Sequence, residues 1–222
     1  MMLSLSFLRA WAADPLQVGA IAPSSGALAA AITAELTPGC APVIELGAGT
    51  GVLTRSIIDR GVPEDQLVLV ECNDHFALTL ARQFPRAQII VKDAGELRPQ
   101  DIGLGERAGA VVSGIPLLLL PQHKVRAILE SAFRCLRPDG AVYQFTYGFR
   151  APVERGTLER LGLQSQRIGG TLANLPPAAV YQIRRKVARV QALHSAWSAL
   201  ERDTSRPALQ AGSGASSMAS RG

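Results

Sequence analysis

The chain has 222 residues, of which 47% are hydrophobic and 5% aromatic, and its formal net charge is +5 at pH 7. This length and apolar content indicate one folded domain with a substantial core, and they exclude a fully disordered chain. No stretch reaches the ~18 uncharged apolar residues that a membrane span requires. No basic segment precedes the apolar residues at the N-terminus, so we expect no cleaved signal peptide. The three cysteines are odd in number and scattered along the chain, which argues against a disulfide framework or a zinc site. This pattern is typical of a protein in a reducing compartment, and we expect the cytoplasm.

The first two predicted elements are helices. Phe7, Leu8 and Trp11 share one face of a short amphipathic helix, because they are three and four residues apart. A loop follows, and either Ser24 or Ser25 is a suitable N-cap for an alanine-rich helix at Gly26–Leu36. We therefore predict an N-terminal helix and lid loop ahead of the main domain.

From residue 42 onward, short apolar strands alternate with helices, which predicts a parallel sheet covered by helices on both faces. Two later segments are close in sequence and are predicted to pair as antiparallel strands at one edge. The seven predicted strands are Pro42–Leu46, Leu67–Glu71, Gln88–Asp93, Ala108–Ser113, Ala141–Thr146, Leu163–Ile168 and Ala179–Arg184. The end of the chain is rich in Ser, Ala and Gly and is predicted to be disordered. The predicted organisation is a helix and lid loop at 1–25, one domain at 26–200 and a disordered tail at 201–222.

Basic residues are concentrated in the C-terminal third of the chain. Residues 1–149 contain 12 Lys or Arg against 14 Asp or Glu, whereas residues 150–202 contain 9 against 3. The second segment therefore predicts a basic face, which either meets the phosphates of lipid or nucleic acid or is simply solvated.

A glycine-rich turn, with the sequence E-L-G-A-G-T-G at Glu45–Gly51, follows the first strand. Glycines allow the backbone to turn tightly and approach a ligand closely, and the amides of the next helix open onto the same place. A dinucleotide fingerprint would need glycine at position 52, which is Val52, and no Walker lysine follows. The acid Glu45 near the strand end favours a ligand with a cationic ammonium over one with a pyrophosphate.

The next three strands each end in polar residues. Glu71 ends the second strand and is placed to accept hydrogen bonds from both hydroxyls of a ribose. Asp93 and Ala94 end the third strand, where a carboxylate and a backbone amide can recognise an adenine edge. Ser113 ends the fourth strand, beside the expected reaction centre. A carboxylate at a strand end is often only a helix cap or a solvated group, and this alternative stays open for each acid.

Together with a Leu-Arg-Pro-x-Gly turn at Leu136–Gly140, these motifs resemble the class I S-adenosylmethionine-dependent methyltransferases. The resemblance implies S-adenosylmethionine as cofactor and an α/β, doubly wound, Rossmann-like sheet of seven strands with an antiparallel last strand. It implies that Glu45 and the turn hold the methionine part, Glu71 the ribose, and Asp93 with Ala94 the adenine. The implied cofactor-binding residues are Glu45, Gly47, Ala48, Gly49, Gly51, Glu71, Asp93, Ala94 and Ser113.

A narrower resemblance, over roughly residues 7–185, is to the bacterial phospholipid N-methyltransferases. Its motifs are Val18–Ser25, Ser113–Leu118 and Gln144–Gly148. It implies methyl transfer from S-adenosylmethionine to the amine of phosphatidylethanolamine, toward phosphatidylcholine. Ser113 and Tyr147 are the candidates for orienting that amine, and simple packing is an equal alternative for Tyr147.

The phospholipid enzymes are similar to the rRNA adenine N6-methyltransferases, which usually have an Asn/Asp-x-Pro-aromatic motif after the fourth strand. Here that segment, Ser113–Leu117, reads S-G-I-P-L and lacks both the aromatic ring that stacks on a base and the amide that grips an amine. This difference favours a lipid substrate. The alternatives are an rRNA adenine or small-molecule methyltransferase and a non-catalytic module that binds S-adenosylmethionine.

The expected partners are a phospholipid substrate and an anionic membrane surface, with nucleic acid less favoured, and the chain is expected to be a monomer. The protein is expected in the cytoplasm, peripherally associated with the inner face of the membrane. The apolar face of the N-terminal helix and basic residues of the C-terminal third would form a reversible anchor. Those basic residues are Arg184, Arg185, Lys186 and Arg189.

Overall fold

The computed structural model describes residues 25–148, 150–172 and 177–186. The predicted N-terminal helix and the predicted tail lie outside these residues, so the predicted domain boundaries remain predictions. Within the described part of the chain, no helix is both long and apolar enough to cross a bilayer. The helices are α1 (Ser25–Ile32), α2 (Val52–Asp59), α3 (Asp74–Gln83), α4 (Gln122–Cys135) and α5 (Arg155–Arg160).

Seven strands form one sheet in the order β3-β2-β1-β4-β5-β7-β6. The first five strands are parallel to one another, and β7 is antiparallel to both of its neighbours, β5 and β6. The predicted seven-stranded α/β sheet with an antiparallel last strand is therefore confirmed. The strands are β1 (Val43–Leu46), β2 (Leu67–Glu71), β3 (Gln88–Val91), β4 (Ala108–Ser113), β5 (Leu136–Tyr147), β6 (Leu163–Thr171) and β7 (Ala178–Arg185).

Helices cover both faces of the sheet, and every residue of β1 and β2 is buried as a result. One face, here called the α1–α3 face, packs against those helices through Ile32, Ile57 and Leu80. The opposite face, here called the α4–α5 face, packs against Leu129 and Leu158. A parallel strand that is covered on both faces contains a continuous apolar run, which is why the strands could be predicted from sequence.

Strand β5 begins at Leu136, five residues before the predicted start at Ala141. Ala108 of β4 pairs with Leu136, but the next pair joins Ala110 to Ala141. Four residues of β5 therefore face one residue of β4, so the predicted turn lies within the strand as an irregularity of the ladder.

The other differences concern the ends of elements and one short helix that was not predicted. Helix α1 ends at Ile32 rather than Leu36. The hydroxyl of Thr33, just after it, donates to the carbonyl of Ala29 at 2.8 Å, a bond that competes with a regular helix. Helix α5 was not predicted, and its six residues are too few to show a helical period.

The strands end at two opposite sides of the sheet, and these two sides differ in function. Here an edge means one of these rows of strand ends, not an outermost strand. The carboxyl ends of β1 to β5 lie at one edge, here called the carboxyl edge, where ligands bind in open α/β sheets. The end of β6 lies at the same edge, because Thr171 pairs with Ala178, which in turn pairs with Tyr147 at the end of β5. The end of β7, with Arg184 and Arg185, lies at the opposite edge, here called the amino edge.

The two arginines that end β7 have different environments. The guanidinium of Arg185 donates hydrogen bonds to the carbonyls of Phe133, Arg137 and Pro138 and lies 5.1 Å from the centre of the Phe133 ring. Arg184 is exposed. Arg185 therefore joins β7 to the end of α4 and the start of β5, and it is not a free charge for an external anion.

We expect the substitution Arg185→Ala to lower the free energy of unfolding by roughly 2–3 kcal/mol, because it removes charge-assisted hydrogen bonds to carbonyls. The matched control Arg184→Ala should change it by less than about 0.5 kcal/mol. Urea unfolding of both variants measures the difference. Equal effects of the two substitutions would contradict the structural role of Arg185.

Candidate functional site

The glycine turn leaves β1 at the carboxyl edge with three residues in the left-handed region. The φ angles of Gly47, Gly49 and Gly51 are 72°, 53° and 81°. A Cβ atom at Gly51 would lie 2.5 Å from a ring carbon of Phe84, whereas the atom nearest to a Cβ at Gly49 would be the carbonyl oxygen of Gly47, 4.0 Å away. The turn is therefore closed on the α3 side and open above Gly49, where a ligand can approach the backbone closely.

Glu71, at the end of β2, holds the glycine turn in place. Its side chain is buried, and its two oxygens accept hydrogen bonds from the amides of Gly49 and Asn73, both at 2.9 Å. The sequence analysis left a helix cap open as the structural alternative for this residue, but it did not predict a bond to the glycine turn. Each carboxylate oxygen has a second lone pair, so the predicted contact with a ribose is compatible with these bonds. That contact remains a prediction.

Glu45 lies inside the sheet rather than at its rim. The residue is 1% exposed, and Oε2 accepts a hydrogen bond from the hydroxyl of Thr54 in α2 at 2.6 Å. Oε1 has no hydrogen-bond partner. Burial raises the pKa of this carboxyl group from 4.5 to about 8, against the lowering effect of the bonds from Thr54. Glu45 is therefore a buried group of the sheet, and its predicted role toward the methionine part of the cofactor remains a prediction.

Asp93 follows β3 and caps the short 3-10 helix Ala94–Glu96. One oxygen accepts from the amide of Gly95, and the other binds the ammonium of Lys124 in α4, both at 2.8 Å. These bonds, that from Lys124 foremost, hold the pKa of Asp93 below its ordinary value. Asp93 is thus ionised and fixed at the carboxyl edge, as an adenine-binding carboxylate requires.

Lys124 is a site residue that the sequence analysis missed. Lys124 follows Asp93 by 31 residues in the chain. The sequence signal that could have indicated it was its position in the first turn of the helix that follows β4. Ala94 is buried beside Asp93. The roles of Asp93 and Ala94 toward adenine remain predictions.

Ser113 ends β4 next to β1, where it pairs with Leu46, and next to β5, where it pairs with Gln144. Its buried hydroxyl accepts a hydrogen bond from the amide of Ile115 at 3.3 Å. The carboxamide nitrogen of Gln144 donates to the carbonyl of Ile115 at 2.8 Å. Gln144 is therefore a second missed residue, which the sequence analysis included only as part of a motif.

Tyr147 is not brought together with Ser113 by the structure. Its ring is half-buried against Phe145, with ring centres 5.3 Å apart, and it packs with the core of the α1–α3 face. Side chains of β4 alternate between the two faces of the sheet, and Val111 belongs to the core of the α4–α5 face. Ser113, two residues later, therefore lies on that same face. Burial raises the pKa of Tyr147. The packing alternative for Tyr147 is thus observed, and its role toward an amine remains a prediction.

A cleft of about 440 Å³ adjoins the glycine turn. It reaches the turn at Thr50 and Gly51 and is otherwise lined by α1, α2 and the end of α3. It does not include Glu71, Asp93 or Ser113, so it is a neighbour of the candidate site rather than the site itself.

Comparisons with known proteins agree with this geometry. A family model described as a methyltransferase domain matches residues 43–140. Over 148 residues, the chain is 32% identical to an ornithine lipid N-methyltransferase of Singulisphaera acidiphila, a match that covers 64% of this chain and 74% of the relative.

Two solved structures share the fold. One is magnesium protoporphyrin IX methyltransferase from Synechocystis PCC 6803 with bound S-adenosylmethionine, with a TM-score of 0.54, 14% identity and coverage of 73% of this chain and 78% of the other. The second is DhpI in complex with SAH, with a TM-score of 0.56, 19% identity and coverage of 82% and 93%. At these identities the likeness concerns the fold alone.

Because the pKa of Glu45 is raised in the folded state, the free energy of unfolding should depend on pH. Between pH 4.5 and about 8, the carboxyl group keeps its proton in the folded state but loses it in the unfolded state. The folded protein is therefore destabilised as pH rises through this window, and Glu45→Gln removes this effect. From about pH 4.5 to 8, we expect the variant to gain on the order of 4 kcal/mol of stability relative to the natural chain.

Urea unfolding of both proteins at several pH values in that window measures this difference. All other titrating groups are common to the two proteins, so they cancel in the comparison. A difference that does not change with pH would show that Glu45 is ionised throughout.

Proposed function

We propose that this chain, which belongs to the class I S-adenosylmethionine-dependent methyltransferases and is related to lipid N-methyltransferases, methylates the primary amine of a membrane lipid. The supporting observation is its 32% identity to an ornithine lipid N-methyltransferase, over 74% of that relative. The first proposed acceptor is phosphatidylethanolamine, because of the motif resemblance at Ser113–Leu118 and Gln144–Gly148. Ornithine lipid is the second proposed acceptor, because that relative is an ornithine lipid N-methyltransferase.

The described residues fit the cofactor of this family. The open backbone above Gly49 and the strand-end acids Glu71 and Asp93 lie at the carboxyl edge, and the unpaired oxygen of Glu45 is buried beneath the turn. Bound S-adenosylmethionine supplies an activated methyl group. We propose that the turn and Glu71 hold it, and that Asp93 binds its adenine.

The chain contributes alignment and desolvation to the transfer. The segment Ser113–Leu117 contains no ionisable side chain, and Leu117 within it is buried. An amine that leaves water for such surroundings has a lowered pKa, so it loses its proton without a dedicated base. Holding the amine in line with the methyl group then accounts for most of the acceleration that the protein must supply.

The test supplies labelled S-adenosylmethionine together with four acceptors in separate reactions. These are vesicles with phosphatidylethanolamine, vesicles with ornithine lipid, ribosomal RNA and a small soluble amine. We expect label in lipid, and the two kinds of vesicle decide between the proposed acceptors. Label in RNA alone would overturn the proposal, and label in none would favour a non-catalytic module.

A lipid substrate requires that the carboxyl edge meet the membrane, and the exposed apolar residues support this orientation. Four of the five exposed large hydrophobic residues in the described part of the chain lie at that edge. The four are Val52, Val91, Leu118 and Leu172, with exposures of 39%, 53%, 44% and 88%. The fifth, Leu78, is 62% exposed on α3.

The basic residues Arg184 and Arg185 lie at the amino edge, away from the carboxyl ends of the parallel strands. An anchor built on them would turn the candidate site away from the bilayer, and Arg185 is already bonded to three carbonyls. We therefore propose a peripheral membrane contact through Leu118 and Leu172 in place of the predicted arginine anchor. The predicted contribution of Phe7, Leu8 and Trp11 falls outside the described residues.

Vesicle flotation tests this orientation. The double variant Leu118→Ser/Leu172→Ser should bind vesicles at least about tenfold more weakly, because each leucine that enters the interface contributes up to about 1.5–3 kcal/mol. Leu78→Ser and Arg184→Ala are controls that should bind like the natural chain. A double variant that floats as well as the controls would exclude this surface.

A further inference from the structure

Four buried side-chain atoms in the described part of the chain have no hydrogen-bond partner, and one belongs to a residue next to the expected reaction centre. That atom is Oε1 of Gln144, a residue with 0% exposure in the middle of the sheet. Buried polar atoms are nearly always paired, so an unpaired one calls for an explanation.

The other end of this carboxamide makes two hydrogen bonds. Nε2 of Gln144 donates to the carbonyl of Ile115 at 2.8 Å and to the carbonyl of Phe145 at 2.9 Å. The opposite orientation would place Oε1 against two carbonyl oxygens, so the unpaired atom is the oxygen. An apolar side chain of similar size would remove the unpaired oxygen, but the carbonyl of Ile115 would lose its hydrogen bond from Gln144. The presence of the carboxamide is therefore explained by what its nitrogen holds.

What it holds is the segment after β4. The amide of Ile115 is bound by the hydroxyl of Ser113, and its carbonyl is bound by Gln144. Both polar groups of Ile115 are thus fixed by side chains from two neighbouring strands. Gln144 reaches this segment from β5 because it pairs directly with Ser113.

The same segment packs on the glycine turn. A Cβ atom at Gly47 would lie 2.8 Å from Cγ1 of Ile115, and one at Gly114 would lie 2.7 Å from the carbonyl oxygen of Gly47. The position of Ile115 therefore determines how the segment after β4 sits relative to the turn.

We propose that Gln144 is a positioning residue for methyl transfer, which acts by fixing Ile115 between β5 and the glycine turn. The segment Ser113–Leu117 lacks the amide side chain that the related rRNA enzymes have at its start. The structure supplies a carboxamide from the neighbouring strand instead, and its nitrogen sets the place of the acceptor amine through the backbone of Ile115. This inference rests on the proposed function only for the identity of the acceptor.

The test compares Gln144→Met with the matched control Gln182→Met. Gln182 is the neighbouring buried glutamine on β7, and its nitrogen bonds to Glu35 and Tyr143 rather than to the segment after β4. With vesicles of phosphatidylethanolamine or ornithine lipid, whichever the natural chain methylates, Gln144→Met should lose about 10- to 100-fold in kcat. Its Kd for S-adenosylmethionine should stay within about threefold of that of the natural chain. Gln182→Met should lower stability and leave kcat within about twofold.

Gln144→Glu provides a readout that a purely structural role would not move. A protonated carboxyl group can donate to the carbonyl of Ile115, but an ionised one cannot. The kcat of this variant relative to the natural chain should therefore fall as pH rises, whereas the rate of the natural chain rises as the acceptor amine loses its proton. A constant ratio of the two rates over pH would overturn the proposal.

Hydrogen exchange separates failure of this inference from failure of the proposed function. In Gln144→Met, exchange should accelerate at Ile115 and its neighbours, with or without any lipid acceptor. If the natural chain methylates no lipid, the proposed function fails, and unchanged exchange in the variant would still overturn the positioning role. An unchanged kcat, an equal loss in Gln182→Met, or a loss of cofactor affinity as large as the loss in kcat would overturn it as well.

Discussion

The bond between the carboxylate of Glu71 and the amide of Gly49 is the constraint on which the rest of the site depends. It joins the end of β2 to the turn that follows β1, and so fixes the open backbone at the carboxyl edge. Because Glu71 is buried, this bond is shielded from water and from salt. The remaining groups of the site are arranged around a turn that is already rigid. Ile115 packs on one side of it, and Phe84 closes another.

The site is therefore held by pairs of residues from different elements rather than by a single loop. Asp93 is fixed by Lys124 of α4, and Ile115 is fixed by Gln144 of β5. Lys124 and Gln144 both follow the β4 segment in the chain, so two later elements, α4 and β5, hold groups that precede them. In a fold of this kind, substitutions in the segment after β4 can change the acceptor while the turn after β1 keeps its geometry.

Much of the fold could be predicted from the sequence, because periodicity and turn residues are local signals. The bounds of β2 and β4 agree with the prediction, and the sheet has the predicted number of strands. The long-range features could not be predicted in this way. The irregular pairing of β4 with β5 and the bonds made by Lys124 and Gln144 join residues about 30 positions apart. The excess of basic residues predicted a charged face but could not indicate at which edge of the sheet it lies.

The buried carboxyl group of Glu45 has a consequence for the energetics of ligand binding. Its removal from water raises the pKa of the carboxyl group to about 8, and one of its oxygens has no hydrogen-bond partner. A positive charge that arrives close to it would favour the ionised form, since opposite charges stabilise each other strongly where water is excluded. Uptake of a cationic ligand at the turn would then be accompanied by release of a proton to the solvent.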